Sequence, residues 1–366
     1  MQMKPFIPHQ LPLKDLDWSA FIDLIGTANR YIARYDGLLQ SVVNPDILLS
    51  PLKTKEAVLS SRIEGTQATL EEVFEYESER RKIEETKKRD IDEIINYKIA
   101  LQKGRRNMED KPLSLNMIRE LHKILMKGVR GFHKNPGEFR KIQNWIGPPG
   151  STMDNARYVP PAIQNMKKAL YNWENYIHLN DKDIMVQLAI IHAQFEIIHP
   201  FLDGNGRIGR ILIPLFLYHK EAIRDPVFYM SDFLENHRQE YYDSLKHITD
   251  SNNWQNWIRF FLKGMISQAE KNIIQTREII DLYESMKRQM TEKMHSQYLI
   301  QCLDFIFSKP IFNTSEFRNN SLIPAASASR LINSMQQAGM IKLVEMGAGR
   351  KPALYEVNQL MNIINR

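Results

Sequence analysis

A chain of 366 residues, 43% apolar and 10% aromatic, is long enough for two or three domains around a sizeable core. Lysine plus arginine number 49 against 43 aspartates plus glutamates, and this net +6 fits an ordinary soluble protein as well as one with anionic partners. A single cysteine, Cys302, excludes an intrachain disulfide framework and fits a cytoplasmic setting, and no run nears the ~18 consecutive apolar residues of a membrane span.

Residues 1–15 read as extended, because Pro5, Pro8 and Pro12 interrupt helix and no apolar core of signal-peptide length follows Lys4. From about 17 to 110 the pattern is helical. Within it, 71–93 is dense in charges of both signs and reads as a solvated helix face without chemistry. Ile118, Leu121 and Leu125 predict a helix over 114–130, with Ser114 as N-cap. Residues 131–161 then hold Gly131, Pro136, Gly137, Gly147, Pro148, Pro149, Gly150, Pro160 and Pro161. The short runs 139–145 and 156–159 between these breakers read as a hairpin with a loose tip.

Ile184, Leu188, Ile191, Phe195 and Ile198 recur at helical spacing and predict a helix with one buried face. After a glycine-rich break, Ile208, Ile211, Leu212, Leu215 and Phe216 predict a second, and helices continue to about 290. The tail changes texture. Helical segments at 296–308, 314–319 and 323–341 precede two short strands around Gly347 and Gly349, an order of helix, helix, helix and ribbon.

The chemistry concentrates in twelve residues, 199–210. Gly204, Asn205 and Gly206 let backbone N–H groups turn toward one point at the start of a helix, a site for phosphate. Arg207 and Arg210, three apart, can project toward one ligand, and guanidinium forks around two phosphate oxygens. Asp203 is a hard oxygen ligand beside that anion site, suited to Mg²⁺. His199 is a proton acceptor at the lip of the same loop. Taken singly these residues read as a structural histidine, a tight turn and surface charge; together they make a base, a metal ligand, a phosphate nest and two clamps.

HPFLDGNGRIGR at 199–210 resembles the Fic motif, HPFx(D/E)GNGRxxR, without departure at a defining position. GEFRKIQNWIG (137–147), ARYVPP (156–161) and 241–262 are also similar to Fic segments, so the likeness covers most of 10–270. It implies a mainly α, Fic-type helical core with a small β-hairpin flap, and a protein adenylyltransferase using ATP and Mg²⁺. In that role His199 takes the proton of a target Ser, Thr or Tyr hydroxyl that attacks the α-phosphorus, and pyrophosphate leaves. Asp203 holds the metal, Gly204, Asn205 and Gly206 stabilise the phosphates, Arg207 contacts the β-phosphate side and Arg210 the γ-phosphate. The flap, about 138–160, docks the target by strand addition through Ile142, Trp145, Arg157, Tyr158 and Val159. Tyr241 and Tyr242 fall where family members contact adenosine, although adjacent tyrosines also suit plain packing. Doc kinases carry Lys where this chain has Gly206, which disfavours a kinase.

Ser60, Glu64 and Gly65 resemble the family's inhibitory motif, (S/T)xxxE(G/N), in which Glu64 would pair with Arg210 and misplace the nucleotide. Related proteins use this glutamate in removing AMP. The tail from about 296 is similar to winged-helix domains of bacterial Fic proteins. Its basic residues, Arg350 and Lys351 in the ribbon among them, suit DNA phosphates, and a protein-binding or dimerising wing suits them equally. The expected division is 1–110, an N-terminal helical region with the inhibitory motif; 111–290, the catalytic core; and 296–366, a winged helix (α+β). Expected partners are ATP, a protein target that includes this chain itself among the candidates, a second copy and DNA, with no membrane. The rival readings are a de-AMPylating hydrolase and a DNA-binding regulator with a secondary Fic domain.

Overall fold

The computed structural model describes residues 4–42, 44–79, 84–131, 133–148, 150–349 and 351–366; Pro149 and Arg350 lie outside them. The proline-rich N-terminus is extended and leads into a 3-10 turn, Trp18–Phe21, whose Ser19 N–H donates to the Asp17 carboxylate. Then come α1 (Ile22–Leu39), α2 (Pro45–Leu48), α3 (Ser50–Ile63), α4 (Leu70–Glu79), α5 (Glu85–Asn107) and α6 (Leu115–Leu125). Pro45 opens α2 at a position where its missing N–H costs nothing. Ser114 caps α6 by accepting from the Met117 N–H.

An irregular stretch separates α6 from α7 (Ile163–His178), α8 (Ile184–Ile198) and α9 (Asn205–His219). Among the described residues the expected flap hairpin is reduced to one antiparallel bridge, Ile146↔Tyr158, because glycines and prolines leave too few consecutive residues for a ladder. Helices α10 (Ser231–Asn236), α11 (Arg238–Ser251) and α12 (Trp254–Met294) follow. The tail folds as α13 (Leu299–Ser308), β1 (Ile311–Asn313), α14 (Thr314–Asn320), α15 (Ala325–Gln337), β2 (Lys342–Glu345), β3 (Leu354–Glu356) and α16 (Asn358–Asn365). Strands β1 and β2 flank β3 in an antiparallel sheet of order β1-β3-β2. β1 and α16 were not foreseen.

At the centre lies α8. Asp183 caps it by accepting from the Met185 and Val186 N–H groups, and Asn29 of α1 holds the other Asp183 oxygen. In place of the single buried face that its spacing predicts, α8 is buried on nearly every side. Its polar residues find partners instead of water. Gln187 donates to the Tyr176 and Leu179 carbonyls, Gln194 to the His9 carbonyl, and His192 shares a hydrogen bond with the Tyr241 hydroxyl. Helices α7, α9, α11 and α12 cover it.

α12 runs unbroken across the expected boundary near 290 and carries both the core and the tail. The tail unit also rests on the N-terminal helices: α13 on α2 and α3, β1 on α4, and α16 on α3. Asn313 donates to the Ser78 carbonyl across that seam. Part of the tail's positive charge is paired, Lys309 with Glu316 and Lys351 with Glu345 within it and Arg366 with Glu278 of α12. No helix among the described residues is long and apolar enough to cross a membrane.

Candidate functional site

The loop between α8 and α9 starts and ends on left-handed backbone. His199 (φ +48°) ends α8, and Gly204 (φ +75°) starts α9. A non-glycine residue in that region is uncommon, and such strain collects at functional sites. The loop is braced from within: the Asn205 amide accepts from the Phe201 N–H (2.9 Å) and donates to the Phe201 carbonyl (3.0 Å). The side chain of Asn205 is therefore spent on the loop, and only its backbone N–H faces the α9 terminus with those of Gly206 and Arg207, ahead of the first intrahelical bond from Ile208 to Gly204.

His199 is half-buried, and burial pushes its imidazole down to about 4. A carbonyl can only accept, so Nδ1–H donates to the Glu196 carbonyl (3.3 Å) and Nε2 is left with its lone pair. Arg140 fixes the strained residue from behind, its Nε donating to the His199 carbonyl (3.0 Å). The same guanidinium bonds the Pro161 carbonyl (2.5 Å), and the Arg140 N–H bonds the Pro200 carbonyl (2.8 Å), so one buried arginine ties the base of the flap to the loop.

Arg210 is 1% exposed and meets α3. Its Nε donates to Ser60 Oγ (2.8 Å), and its Nη2 donates to the Ser60 carbonyl (2.9 Å) and to Glu64 Oε1 (2.6 Å). Burial works against charge on Glu64, but Arg210 outweighs it and holds the carboxyl below its ordinary value. Gly65 (φ +101°) provides the left-handed turn that ends α3 beyond Glu64. Glu64 Oε1 lies against the α-carbon of Gly206, so any side chain at 206 would collide with it. The Glu64 carboxylate thus sits over the first turn of α9, where an anion is favoured.

A second acid shares that face. Glu196 packs against Gly209, where a β-carbon would likewise meet the carboxylate, and its Oε1 has no hydrogen-bond partner among the described residues. Burial pushes its carboxyl up to about 8, with Arg210 opposing and Glu64 adding to the rise.

The two arginines do not converge on one point. Arg207 turns the other way, into a buried pair with Glu93 of α5 (3.0 Å), which also takes Arg130 (3.2 Å). Asp203 lies 3.7 Å from Arg207, accepts from the Gly204 N–H through Oδ1 (2.7 Å) and pairs with Lys134 through Oδ2 (2.9 Å). Burial resists its charge, but Lys134, Arg207 and the Gly204 N–H keep its carboxyl low. His122 holds the loop from below. It stacks on Phe201, its Nδ1 accepts from the Gly137 N–H (2.8 Å), and its Nε2–H therefore donates to the Asp203 carbonyl (2.9 Å).

A divalent cation fits here only with help. Among the described residues no three His, Cys, Asp or Glu side chains gather as a metal cage. Asp203 offers one ionised carboxylate, already occupied by a cation, the Lys134 ammonium. One carboxylate supplemented by substrate phosphates is how Mg²⁺ is usually held, so the donor set suits that ion.

Of the flap residues, Ile142, Trp145 and Arg157 are exposed. Tyr158 and Val159 face inward: the Tyr158 hydroxyl donates to the Ile197 carbonyl (2.7 Å), and the Val159 carbonyl accepts from Phe6. These two anchor the flap more than they present it. Tyr241 is 1% exposed with its hydroxyl on His192, so it packs the core; Tyr242, open at the surface near Glu64, is the member of the pair that a ligand can reach. Glu93, Glu196, Lys134, His122 and Arg140 were missed by sequence reasoning. Only Arg140, within the flap-like segment, carried any signal.

The Fic/DOC family N-terminal model matches residues 22–106, and the Fic/DOC family model matches 112–217; together they take in more than half the chain. A probable protein adenylyltransferase of Aquifex aeolicus is 29% identical over 176 residues, 46% of this chain and 49% of that protein. A protein adenylyltransferase Fic of Drosophila erecta is 26% identical over 215 residues, 58% of this chain and 39% of that protein. The chain thus spans less than half the length of either relative. Among solved structures, a Fic family protein from Desulfovibrio desulfuricans aligns with 95% of this chain and 98% of its own, at 19% identity and a TM-score of 0.58, a likeness in fold.

Proposed function

This chain belongs to the Fic/DOC family, and from that premise we propose that it is a protein adenylyltransferase restrained by its own α3. The observation that carries the reading is a neutral imidazole at the lip of an anion-binding helix terminus. His199 presents Nε2 as a base, and a few residues on the N–H groups of Asn205, Gly206 and Arg207 are ready for phosphate oxygens. His199 takes the proton of a Ser, Thr or Tyr hydroxyl on a protein. The oxygen bonds to the α-phosphorus of ATP, the bond to the β-phosphate bridge breaks, and pyrophosphate carries away the charge. The α9 terminus stabilises that charge in the manner of an oxyanion hole. Arg207, steadied by Glu93, faces the β-phosphate side, and Arg210 is the γ-phosphate ligand once Glu64 releases it. Asp203 would hold Mg²⁺, which neutralises phosphate charge when bound. Ile142, Trp145 and Arg157 offer the surface on which a target segment is laid.

In this reading residues 1–110 carry the restraint, 111–290 the catalytic core and 296–366 a winged-helix unit. The Glu64 carboxylate lies where the γ-phosphate would draw Arg210, so ATP and Glu64 compete for one guanidinium. Intact-protein mass after incubation with Mg-ATP tests the proposal. AMP addition by Glu64→Gly, absent from Glu64→Gly/His199→Ala and weaker in wild type, is the expected result. If Glu64→Gly labels neither itself nor any protein of a lysate supplied with labelled ATP, the transferase reading fails.

A further inference from the structure

Lys134 has no part in the chemistry above, yet it is built into the site. Its backbone N–H donates to the Gly131 carbonyl (2.8 Å). Gly131 lies close on Asp203: a β-carbon there would come within 2.8 Å of Asp203 Oδ2, the same oxygen that takes the Lys134 ammonium at 2.9 Å. The backbone thus approaches the carboxylate as closely as glycine permits and delivers a cation to one chosen oxygen. The other cation beside Asp203, Arg207, is buried and locked to Glu93. Lys134 is 39% exposed on a flexible stem and can swing into water.

We propose that Lys134 is a tethered stand-in for the divalent cation: its ammonium holds Asp203 in place before nucleotide arrives, and the metal must displace it. The inference rests on the reading of Asp203 as the metal ligand. A monovalent ammonium satisfies one carboxylate oxygen, so Asp203 stays ionised and oriented without a metal. A divalent cation held by Asp203 would supply two charges where the ammonium supplies one and would share them with the polyphosphate, so Lys134 would give way to it. Competition by a partly exposed pair of this kind raises the metal concentration needed by about two- to fivefold.

The test uses the full chain with ADP as nucleotide and Mn²⁺ as probe, free Mn²⁺ being followed by its electron paramagnetic resonance signal. Lys134→Met should lower the half-saturating Mn²⁺ by about two- to fivefold, Lys134→Arg should stay near wild type, and ADP affinity in EDTA should be the same for all three. A midpoint that does not move or moves up in Lys134→Met overturns the proposal. So does a loss of ADP affinity in EDTA, which would make Lys134 a phosphate ligand. Asp203→Asn separates the two layers: if its Mn²⁺ dependence equals wild type, Asp203 does not hold the metal and the underlying reading fails; if it is lost while Lys134→Met changes nothing, only the stand-in fails.

Discussion

Removing the Glu64 carboxylate should move nucleotide affinity and apo stability in opposite directions. In Glu64→Gly, Arg210 keeps Ser60 Oγ and the Ser60 carbonyl but loses the 2.6 Å charge-assisted bond. Such a bond contributes about 1.5–3 kcal/mol. Glu64 is 34% exposed, so water already weakens it, and the lower end is the working figure. About 1.5–2 kcal/mol corresponds to roughly 10- to 30-fold tighter ATP binding, because ATP no longer has to displace the carboxylate. Without ATP the buried guanidinium is under-partnered, and the protein should lose about 1–3 kcal/mol of stability. Calorimetric titration with ATP and with ADP, alongside thermal unfolding with and without each, measures both effects. ADP lacks the γ-phosphate and should gain less than about twofold. Glu64→Gln, which keeps the side chain's size and loses its charge, should fall between. Equal gains for ATP and ADP, or none for either, would refute the competition for Arg210.

Other outcomes follow from the same geometry. Burial places the His199 pKa at about 4, so its neutral, basic form persists as pH falls from 8 to 6 and is lost only as pH approaches 4; a transfer rate in Glu64→Gly that declines with a midpoint near 6.5 would show an imidazole titrating as in water, and His199→Ala should be inactive. Glu93→Ala leaves Arg207 buried without its carboxylate and should cost about 3–5 kcal/mol in urea unfolding, against well under 1 kcal/mol if Glu93 were a solvated helix residue. Gly206→Ala should destabilise the wild type by about 1–3 kcal/mol through collision with Glu64 and cost clearly less in Glu64→Gly, where the 3.0 Å approach to Arg210 Nη1 remains; an equal cost in both backgrounds would place the clash elsewhere.

What was legible before the structure was local. The twelve residues 199–210 are contiguous, so their turn, caps and charges read off directly, as does Ser114 at the head of α6. Glu64 was found because a short pattern names it, and the geometry then put it on Arg210. Glu93 could not be found this way. It sits in a stretch whose charges mostly do face water, and only the partner 114 positions later makes it a buried ion. Periodicity failed on α8 for a related reason. It reports which face is apolar and cannot report that His192 and Gln187 are covered too, by partners on other elements. Arg207 and Arg210, three apart, share a helical sector but turn to different acids, which sequence separation does not encode.

The 41-residue α12 sets what the tail can be used for. At about 1.5 Å per residue it is a rod of roughly 60 Å, in contact with α8 and α11 of the core and with α13, α15 and α16 of the tail. A module on a floppy leash searches a sphere and raises the local concentration of whatever it holds. A module bolted to a rod, and footed on the helix that bears Ser60 and Glu64, searches nothing. Its surface is therefore held at one bearing and one distance from His199.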